Sequence, residues 1–207
     1  MTSKGPKTDS ELTPIDGRRE QMLEAAAALI SELGFAQTRI VDVAERIGVS
    51  PGLVVYYFAT KDKLLTEALR YSESAFYASA EALLTSPATL AERLETLLDL
   101  NFESTESVEL STYWGLSFDF WVQAFRHPQV AVDRRDIDNQ WRSLIVRMVR
   151  AGIDTGEIDE VDAEEFAVSW AAYLDGLAVQ VALADPLLDA QRAKHLALRF
   201  ATRELRL

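Results

Sequence analysis

The chain of 207 residues contains no cysteine and only two histidines, His127 and His195. Disulfides and thiolate metal sites are therefore excluded, and the two histidines lie too far apart in sequence to show a metal-ligand spacing. No run of about 18 apolar residues is present to span a bilayer, and the first residues lack the apolar core of an export signal. These absences favour a protein of the reducing cytoplasm, and they point to neither a metal nor another cofactor.

Basic residues are scarce, with 21 Lys and Arg against 33 Asp and Glu and a net charge of −12. Because duplex DNA repels an acidic surface, the overall charge argues against a nucleic-acid partner. Residues 1–70, however, carry nine Lys and Arg against ten Asp and Glu, so nearly all of the net charge lies in residues 71–207. The N-terminal third can therefore approach a polyanion while the acidic remainder faces elsewhere.

Apolar residues recur at helical spacing along most of the chain, and no stretch shows the alternation of a strand. The first helix is predicted to run from Gly17 to the glycine C-cap at Gly34. Further helices are predicted at residues 40–47, 51–57, 61–84, 89–105, 109–126, 129–154, 161–184 and 187–205. We therefore expect an all-α fold of about nine helices, with a disordered tail (1–16), a three-helix domain (17–60) and a larger helical domain (61–207).

Residues 39–57 contain two short predicted helices joined by a three-residue turn. Ala44 is small where two helices cross closely, and Gly48, four residues later, suits the positive φ of a tight turn. Ser50 is a good N-cap, and Pro51 suits the first position of the next helix. This spacing predicts a helix-turn-helix, whose second helix lies in the major groove of DNA, although an ordinary capped helical hairpin would show the same spacing.

The predicted second helix of this motif favours the DNA-binding interpretation, because it is too short to bury two large tyrosines. Tyrosine hydroxyls and a nearby lysine or arginine are donors that fix a protein on phosphates, whereas glycine and leucine allow contact with base edges and thymine methyl groups. The candidate DNA contacts are Arg39, Ser50, Gly52, Leu53, Tyr56, Tyr57 and Lys61.

A combined pattern spans residues 18–65. It runs through Gly34-Phe35, Thr38, Asp42-Val43-Ala44, Gly48-Val49-Ser50-Pro51-Gly52, Tyr56-Tyr57-Phe58, Lys61 and Leu64-Leu65. The pattern resembles the DNA-binding domain of the TetR/AcrR family of bacterial regulators, and Leu53-Val54-Val55-Tyr56 resembles its BetI-like branch. Arg39 and Val55 depart from the threonine and tyrosine common in the family, so no operator sequence can be transferred.

The resemblance implies a homodimer whose recognition helices enter adjacent major grooves of palindromic double-stranded DNA. It implies a repressor that a small-molecule inducer releases, with residues 17–60 as the DNA-binding domain and residues 61–207 as the ligand-binding and dimerisation domain. Arg39, Tyr56, Tyr57 and Lys61 would then contact phosphates. A ligand in the larger domain is expected to shift the fourth helix and change the separation of the two recognition helices.

An aromatic stripe on helix 109–126 is typical of a helix core, but the resemblance implies an inducer cavity between the middle helices. The candidate pocket residues are Trp114, Phe118, Trp121, Trp141 and Tyr173. Asp119 and Asp175 lie close to these aromatics in sequence, and a carboxylate beside aromatic faces would suit a cationic ligand. A solvated or structurally paired aspartate is the simpler alternative for each.

Helix 161–184 is apolar on two sides, which predicts two packing partners. One is its own domain and the other is the same helix of a second subunit, where small alanines would allow close approach. The candidate dimer contacts are Ala167, Ala171, Leu174, Ala178 and Leu198. A central helix of a monomer is the alternative.

A helical small-molecule sensor or an enzyme without DNA binding is the alternative to a regulator. Carboxylate pairs such as Asp133 and Asp136 are the only candidates for acid–base chemistry. The sequence has no glycine-rich phosphate loop and no cysteine or histidine nucleophile system, so an enzyme is not expected.

Overall fold

The computed structural model describes residues 14–102 and 108–207, and every regular element in these ranges is a helix. The helices are α1 (Pro14–Leu33), α2 (Ile40–Arg46), α3 (Pro51–Phe58), α4 (Lys61–Leu83), α5 (Leu90–Phe102), α6 (Val108–Arg126), α7 (Pro128–Asp154), α8 (Ala163–Ala182) and α9 (Ala190–Leu205). The predicted all-α fold is confirmed, with these nine helices in the described ranges. No helix in the described part of the chain is long and apolar enough to cross a membrane.

The first helix begins at Pro14, three residues before the predicted start at Gly17. Proline suits the first turn of a helix because it has no N–H that needs a partner and its φ is already helical. Residues 14–16 of the predicted tail are therefore helical, and residues 1–13 lie outside the described residues. Residues 103–105, predicted as the end of the fifth helix, also lie outside them.

One hydrophobic core lies among α1, α2, α3 and the first half of α4, with Met22, Val43 and Phe58 fully buried. Phe120 of α6 and Ile137 of α7 pack into the same core. The helix-turn-helix therefore shares its core with two later helices, and α6 and α7 reach it through α1 and α4.

A second core joins α5, α7, α8 and α9 around Trp170. The Trp170 ring stacks on Phe166 at 5.6 Å between centroids, and its indole N–H donates to the carbonyl oxygen of Ala197 at 3.1 Å. At Gly152 of α7 a Cβ would lie only 2.6 Å from Cδ2 of Leu90 on α5. Any larger residue at this position would force the Leu90 side chain to move where α5 crosses α7.

The alanine-rich face of α8 lies inside the subunit. Ala167, Ala171, Leu174 and Ala178 are all buried in the second core, so no partner can reach them. These four residues were predicted to form a dimer interface, and in this structure α7 and α9 of the same chain cover the faces of α8 on which they lie. Leu198 of α9 is half-buried against the same core.

A third face of α8 is exposed. Val168 is 53% exposed and Leu183 is 72% exposed, and the small residues Ala172 and Gly176 lie exposed between them. Steps of four, four and seven residues place all four on one stripe of the helix. This stripe is the apolar surface of α8 that the subunit itself leaves uncovered.

Candidate nucleic-acid interface and ligand cavity

The connection between α2 and α3 has the geometry predicted for a helix-turn-helix. Gly48 adopts φ of +67°, and the N–H of Val49 donates to the carbonyl oxygen of Ala44 at 2.9 Å. Ser50 is the N-cap of α3, and its Oγ accepts from the N–H of Leu53 at 3.3 Å. Pro51 occupies the first turn, where no donor is lost. The second helix therefore begins directly after the turn and projects its N-terminus outward.

α3 divides into a buried and an exposed face. Val54 and Phe58 are buried in the first core, whereas Gly52 is exposed and Tyr56 is 82% exposed. Tyr57 is half-buried and makes an edge contact with Tyr56, with the ring centroids 5.6 Å apart. This contact limits the orientations of the exposed Tyr56 ring, so its hydroxyl is held at the surface. Leu53 is half-buried near the start of the same helix.

Arg39 is the N-cap of α2, with its side chain 70% exposed. Its Nε donates to Oδ2 of Asp42 at 3.0 Å, and the same carboxylate accepts from the Arg39 backbone N–H at 2.9 Å. The hydrogen bonds from Arg39 hold the pKa of the Asp42 carboxyl below its usual range. The guanidinium of Arg39 is thus fixed at the start of α2, and the carboxylate of Asp42 offsets part of its charge.

Lys61 begins α4 and is tied to the turn after α1. Its Nζ donates to the carbonyl oxygen of Ala36 at 3.0 Å and lies 5.8 Å from the ring centroid of Phe35. Partial burial lowers the pKa of Lys61, while the carboxylates of Asp62 and Asp42 oppose this shift. Asp42 therefore acts on both cations, on Arg39 through hydrogen bonds and on Lys61 through space.

A small cavity of about 50 Å³ lies between α4, α6, α7 and α8, with Asn101 of α5 at its edge. Its wall combines carboxylates with aromatic rings. The carboxylates are Glu73, Asp138 and Asp175, and the aromatic residues are Phe76, Tyr77, Trp121 and Trp141. Among the described residues, neither Nε1 of Trp121 nor Oδ1 of Asn101 has a hydrogen-bond partner. The cavity therefore offers acidic, aromatic and neutral polar groups to a small ligand.

The structure brings two of the five predicted pocket residues, Trp121 and Trp141, to this cavity. Phe118 lies behind Trp121, with the ring centroids 5.5 Å apart. The structure does not bring Tyr173 to the cavity. The Tyr173 ring instead stacks on Phe200, with the centroids 5.1 Å apart, in a groove between α8 and α9. The side chain of Trp114 lies outside the described residues.

Arg134 is one of the cavity residues that the sequence prediction missed. It forms an ion pair with Asp138, and its guanidinium carbon lies 4.8 Å from the ring centroid of Trp121. Arg134, Asp138 and Trp141 are spaced by four and three residues, so they share one face of α7. That spacing was visible in the sequence, but it resembles an ordinary surface ion pair until the fold turns this face inward.

Burial perturbs the acids of the cavity. It raises the pKa of Asp175 to about 6, against the attraction of Arg134 and with a further contribution from the carboxylate of Asp138. Burial also raises the pKa of Asp138 and of Tyr77. Three carboxylates and one guanidinium line the cavity, so its ionised side chains carry more negative than positive charge and favour a further cation.

An outer groove of about 460 Å³ adjoins the cavity. Its own lining is largely apolar and includes Ala124, Ala131 and Phe125, which is 92% exposed. The two spaces share four lining residues, which are Trp121, Arg134, Asp138 and Asp175. Because these four residues border both spaces, we refer to them as the partition.

Asp119 links α6 to the DNA-binding unit. Its Oδ2 accepts from the N–H of Phe35 at 2.8 Å, directly after the α1 C-cap at Gly34, where φ is +83°. The Phe35 ring also lies 6.5 Å from that of Phe120. Of three consecutive residues of α6, Asp119 and Phe120 contact the turn that leads into α2, and Trp121 lines the cavity. Asp119 is therefore a structurally paired aspartate.

Within residues 14–102 and 108–207, no group of three or more His, Asp and Glu side chains is arranged to hold a metal ion. The described features are a capped recognition helix, a cation-favouring cavity and a direct link between them.

Comparison with known proteins assigns both parts of the chain. Residues 22–68 match the family described as bacterial regulatory proteins of the tetR family, and residues 90–206 match the BetI-type transcriptional repressor C-terminal domain. The HTH-type transcriptional regulator BetI of Escherichia coli (strain K12) is 30% identical over 190 residues, covering 91% of this chain and 94% of that protein. These matches favour a regulator over an enzyme.

Solved structures show the same fold. A transcriptional regulator from Saccharomonospora viridis in complex with choline is 26% identical, with a TM-score of 0.78 over 91% of this chain and 97% of that one. A TetR transcription regulator from Haloarcula marismortui is also 26% identical, with a TM-score of 0.73 over 92% and 97% of the two chains. The predicted resemblance, including the BetI-like branch, is confirmed. The chain belongs to the TetR family of transcriptional regulators, and its C-terminal domain is of the BetI type.

Proposed function

We propose that the protein is a homodimeric repressor that binds a palindromic operator in double-stranded DNA and is released by a small organic cation. The observation that carries the DNA-binding part is the exposed face of α3. Gly52 and Tyr56 are open to solvent on a helix whose N-terminus is capped by Ser50 and directed outward. A short, capped helix presented in this way fits the major groove.

The DNA contacts divide by chemistry. We assign base-edge contacts to Gly52 and Leu53, near the start of α3, because glycine allows close approach and leucine can meet a thymine methyl group. The N-terminus of α3 at Ser50 suits a phosphate. We assign phosphate contacts to the hydroxyls of Tyr56 and Tyr57 and to the cations of Arg39 and Lys61.

The partner for the exposed stripe of α8 is a second copy of the chain. The stripe combines large apolar residues, Val168 and Leu183, with the small residues Ala172 and Gly176, which let two helices approach closely. Pairing this stripe across a two-fold axis would bury it and would set the distance between the two copies of α3.

The cavity supports a small organic cation as the ligand. Three carboxylates and four aromatic residues surround a space of about 50 Å³, and aromatic faces attract organic cations. The 26% identical relative from Saccharomonospora viridis was solved with choline, which is such a cation. Choline is therefore the first probe.

The helices α4 and α6 each reach from the cavity to the DNA-binding domain. α4 carries Glu73 and Tyr77 at the cavity and Lys61 at the helix-turn-helix, while α6 carries Trp121 at the cavity and Asp119 against the turn before α2. A ligand that favours another position of these helices would change the separation of the recognition helices. Operator affinity would then fall by the difference in ligand affinity between the two states and by no more.

Selection of bound sequences from a random duplex library at physiological salt tests the proposal. The expected result is a two-fold palindrome bound by a dimer, with affinity that falls when choline is added. A folded dimer that enriches no sequence but still binds choline would support a sensor without DNA binding and overturn the repressor. Enrichment without any response to choline or to another organic cation would leave a DNA-binding protein and overturn the ligand class.

A further inference from the structure

Arg134 makes, within the protein itself, the contacts that an organic cation would seek. Its guanidinium lies 4.8 Å from the centroid of the Trp121 ring and forms an ion pair with Asp138, and its side chain is only 15% exposed. A cation held over a tryptophan face and beside a carboxylate is the arrangement by which aromatic sites bind ligand cations. In this structure the Arg134 side chain itself occupies that place.

The cavity is too small for an organic cation unless a wall residue such as Arg134 moves. A space of about 50 Å³ holds about four water-sized groups, which is too small for choline unless a wall moves. Arg134 belongs to the partition between this cavity and the outer groove of about 460 Å³. Its side chain is long and flexible, whereas the partition residue Trp121 is a rigid ring that also contacts Phe118. Movement of Arg134 outward would join the two spaces.

We propose that Arg134 is a resident cation that the inducer must displace from Trp121 and Asp138, and that it thereby determines which cations the site accepts. This inference rests on the proposed function, in which the ligand is an organic cation. Displacement leaves the Trp121 face and the Asp138 carboxylate to the ligand and moves the guanidinium towards the outer groove. Weakly binding cations fail because they cannot offset the loss of the internal contacts.

Replacement of Arg134 distinguishes this role from its opposite. If Arg134 competes with the ligand, Arg134→Gln should bind choline more tightly, by about tenfold, because the site no longer has to be vacated. If Arg134 instead anchored an anionic group of the ligand, the same change would weaken binding. Unchanged affinity would mean that Arg134 is a bystander. Either of the last two results overturns the inference.

The affinities are measured by isothermal titration calorimetry of the full-length protein with choline and with tetramethylammonium. Arg150→Gln is the matched control, because Arg150 lies on the same helix about 24 Å further along, is exposed and pairs with Glu164. It removes the same charge and should leave both affinities unchanged. If the wild-type protein binds neither cation, the proposed ligand class fails; if it binds them and Arg134→Gln does not bind more tightly, only the role of Arg134 fails.

The wild-type protein offers a second test that does not depend on the folding of the glutamine variant. The side-chain Nε–H signal of Arg134 is identified in a ¹⁵N spectrum by its loss in Arg134→Lys. Addition of choline should move this signal strongly, because the guanidinium leaves the shielding face of Trp121. A signal that stays in place while choline binds overturns displacement.

Discussion

At the residue scale, the buried carboxyl group of Asp175 lowers the stability of the folded protein at neutral pH. Burial raises its pKa to about 6 in the folded state, above the value of about 3.9 expected for an unfolded chain. The folded protein therefore gains stability when Asp175 is protonated, and this gain is lost as the pH rises from about 4 through about 6. At neutral pH the carboxylate is held in a place that disfavours its charge.

We expect Asp175→Asn to stabilise the ligand-free protein at pH 7.5 by about 2–3 kcal/mol and to have little effect near pH 4. Urea unfolding at both pH values, compared with wild type, measures the difference. The same variant should bind choline more weakly, since it removes a carboxylate from the cavity. Asp159→Asn, on an exposed residue, is the control and should show neither effect. An equal stabilisation at both pH values would contradict the role of burial.

Tyr56 and Lys61 should affect operator binding in different ways. Lys61→Gln removes one phosphate-neutralising charge per subunit, so the slope of log affinity against log salt should become shallower by about 1.8 for the dimer.

Tyr56→Phe removes a hydroxyl but no charge. It should weaken binding by about 1 kcal/mol per contact and leave the slope unchanged.

Fluorescence anisotropy with the selected operator at several salt concentrations measures both quantities. Arg203→Gln serves as a charge control, because Arg203 is exposed on α9 and belongs to the other end of the chain. An unchanged slope in Lys61→Gln would show that the contact of its Nζ with Ala36 is structural only.

At the scale of helices, α6 is the element on which the two functions meet. The carboxylate of Asp119 accepts the N–H of Phe35, and Trp121, two residues later, lines the cavity. We expect Asp119→Ala to bind choline as wild type does but to lose most of the effect of choline on operator affinity. The reason is that a movement of α6 would no longer be transmitted, through the hydrogen bond between Asp119 and the Phe35 N–H, to the turn that leads into α2.

Choline titration and operator titration of the same variant separate the two effects. Loss of this acceptor leaves the Phe35 N–H without its partner, which should lower stability by about 1–3 kcal/mol. Asp119→Asn keeps an acceptor oxygen and should restore much of the response. A full choline response in Asp119→Ala would show that α4 alone connects the two sites.

Local sequence determines the limits of these helices. Ser50, Thr60, Asp162 and Asp189 all accept a backbone N–H at the start of a helix, and such caps can be recognised without the fold. Local sequence does not show which face of a helix packs against the rest of the chain. α8 is apolar on two sides, and only the positions of α7 and α9 show that the alanine-rich side is covered by the same chain.

At the scale of the whole molecule, the proposed dimer would determine whether the two recognition helices can reach one operator. We expect Ala172→Arg to produce monomers, because two arginines would meet where small residues allow two copies of α8 to approach. Operator affinity should fall by about 100-fold or more, since each half-site would be bound alone.

Sedimentation equilibrium and operator titration test this prediction. Ala78→Arg makes the same substitution at an exposed position of α4 and should leave the protein dimeric. A dimeric Ala172→Arg variant with wild-type operator affinity would place the interface elsewhere.

The amino-acid sequence alone determined the helical class, the turn between α2 and α3, and membership of the regulator family. These depend on local features: the period of apolar residues, a glycine with positive φ at position 48, and the cap at Ser50. The tertiary structure decided which residues form the cavity and which surface of α8 stays open. Arg134, Asp138 and Asp175 come from two helices and Asn101 from a third, and only packing brings such distant residues into one low-dielectric site where their charges interact.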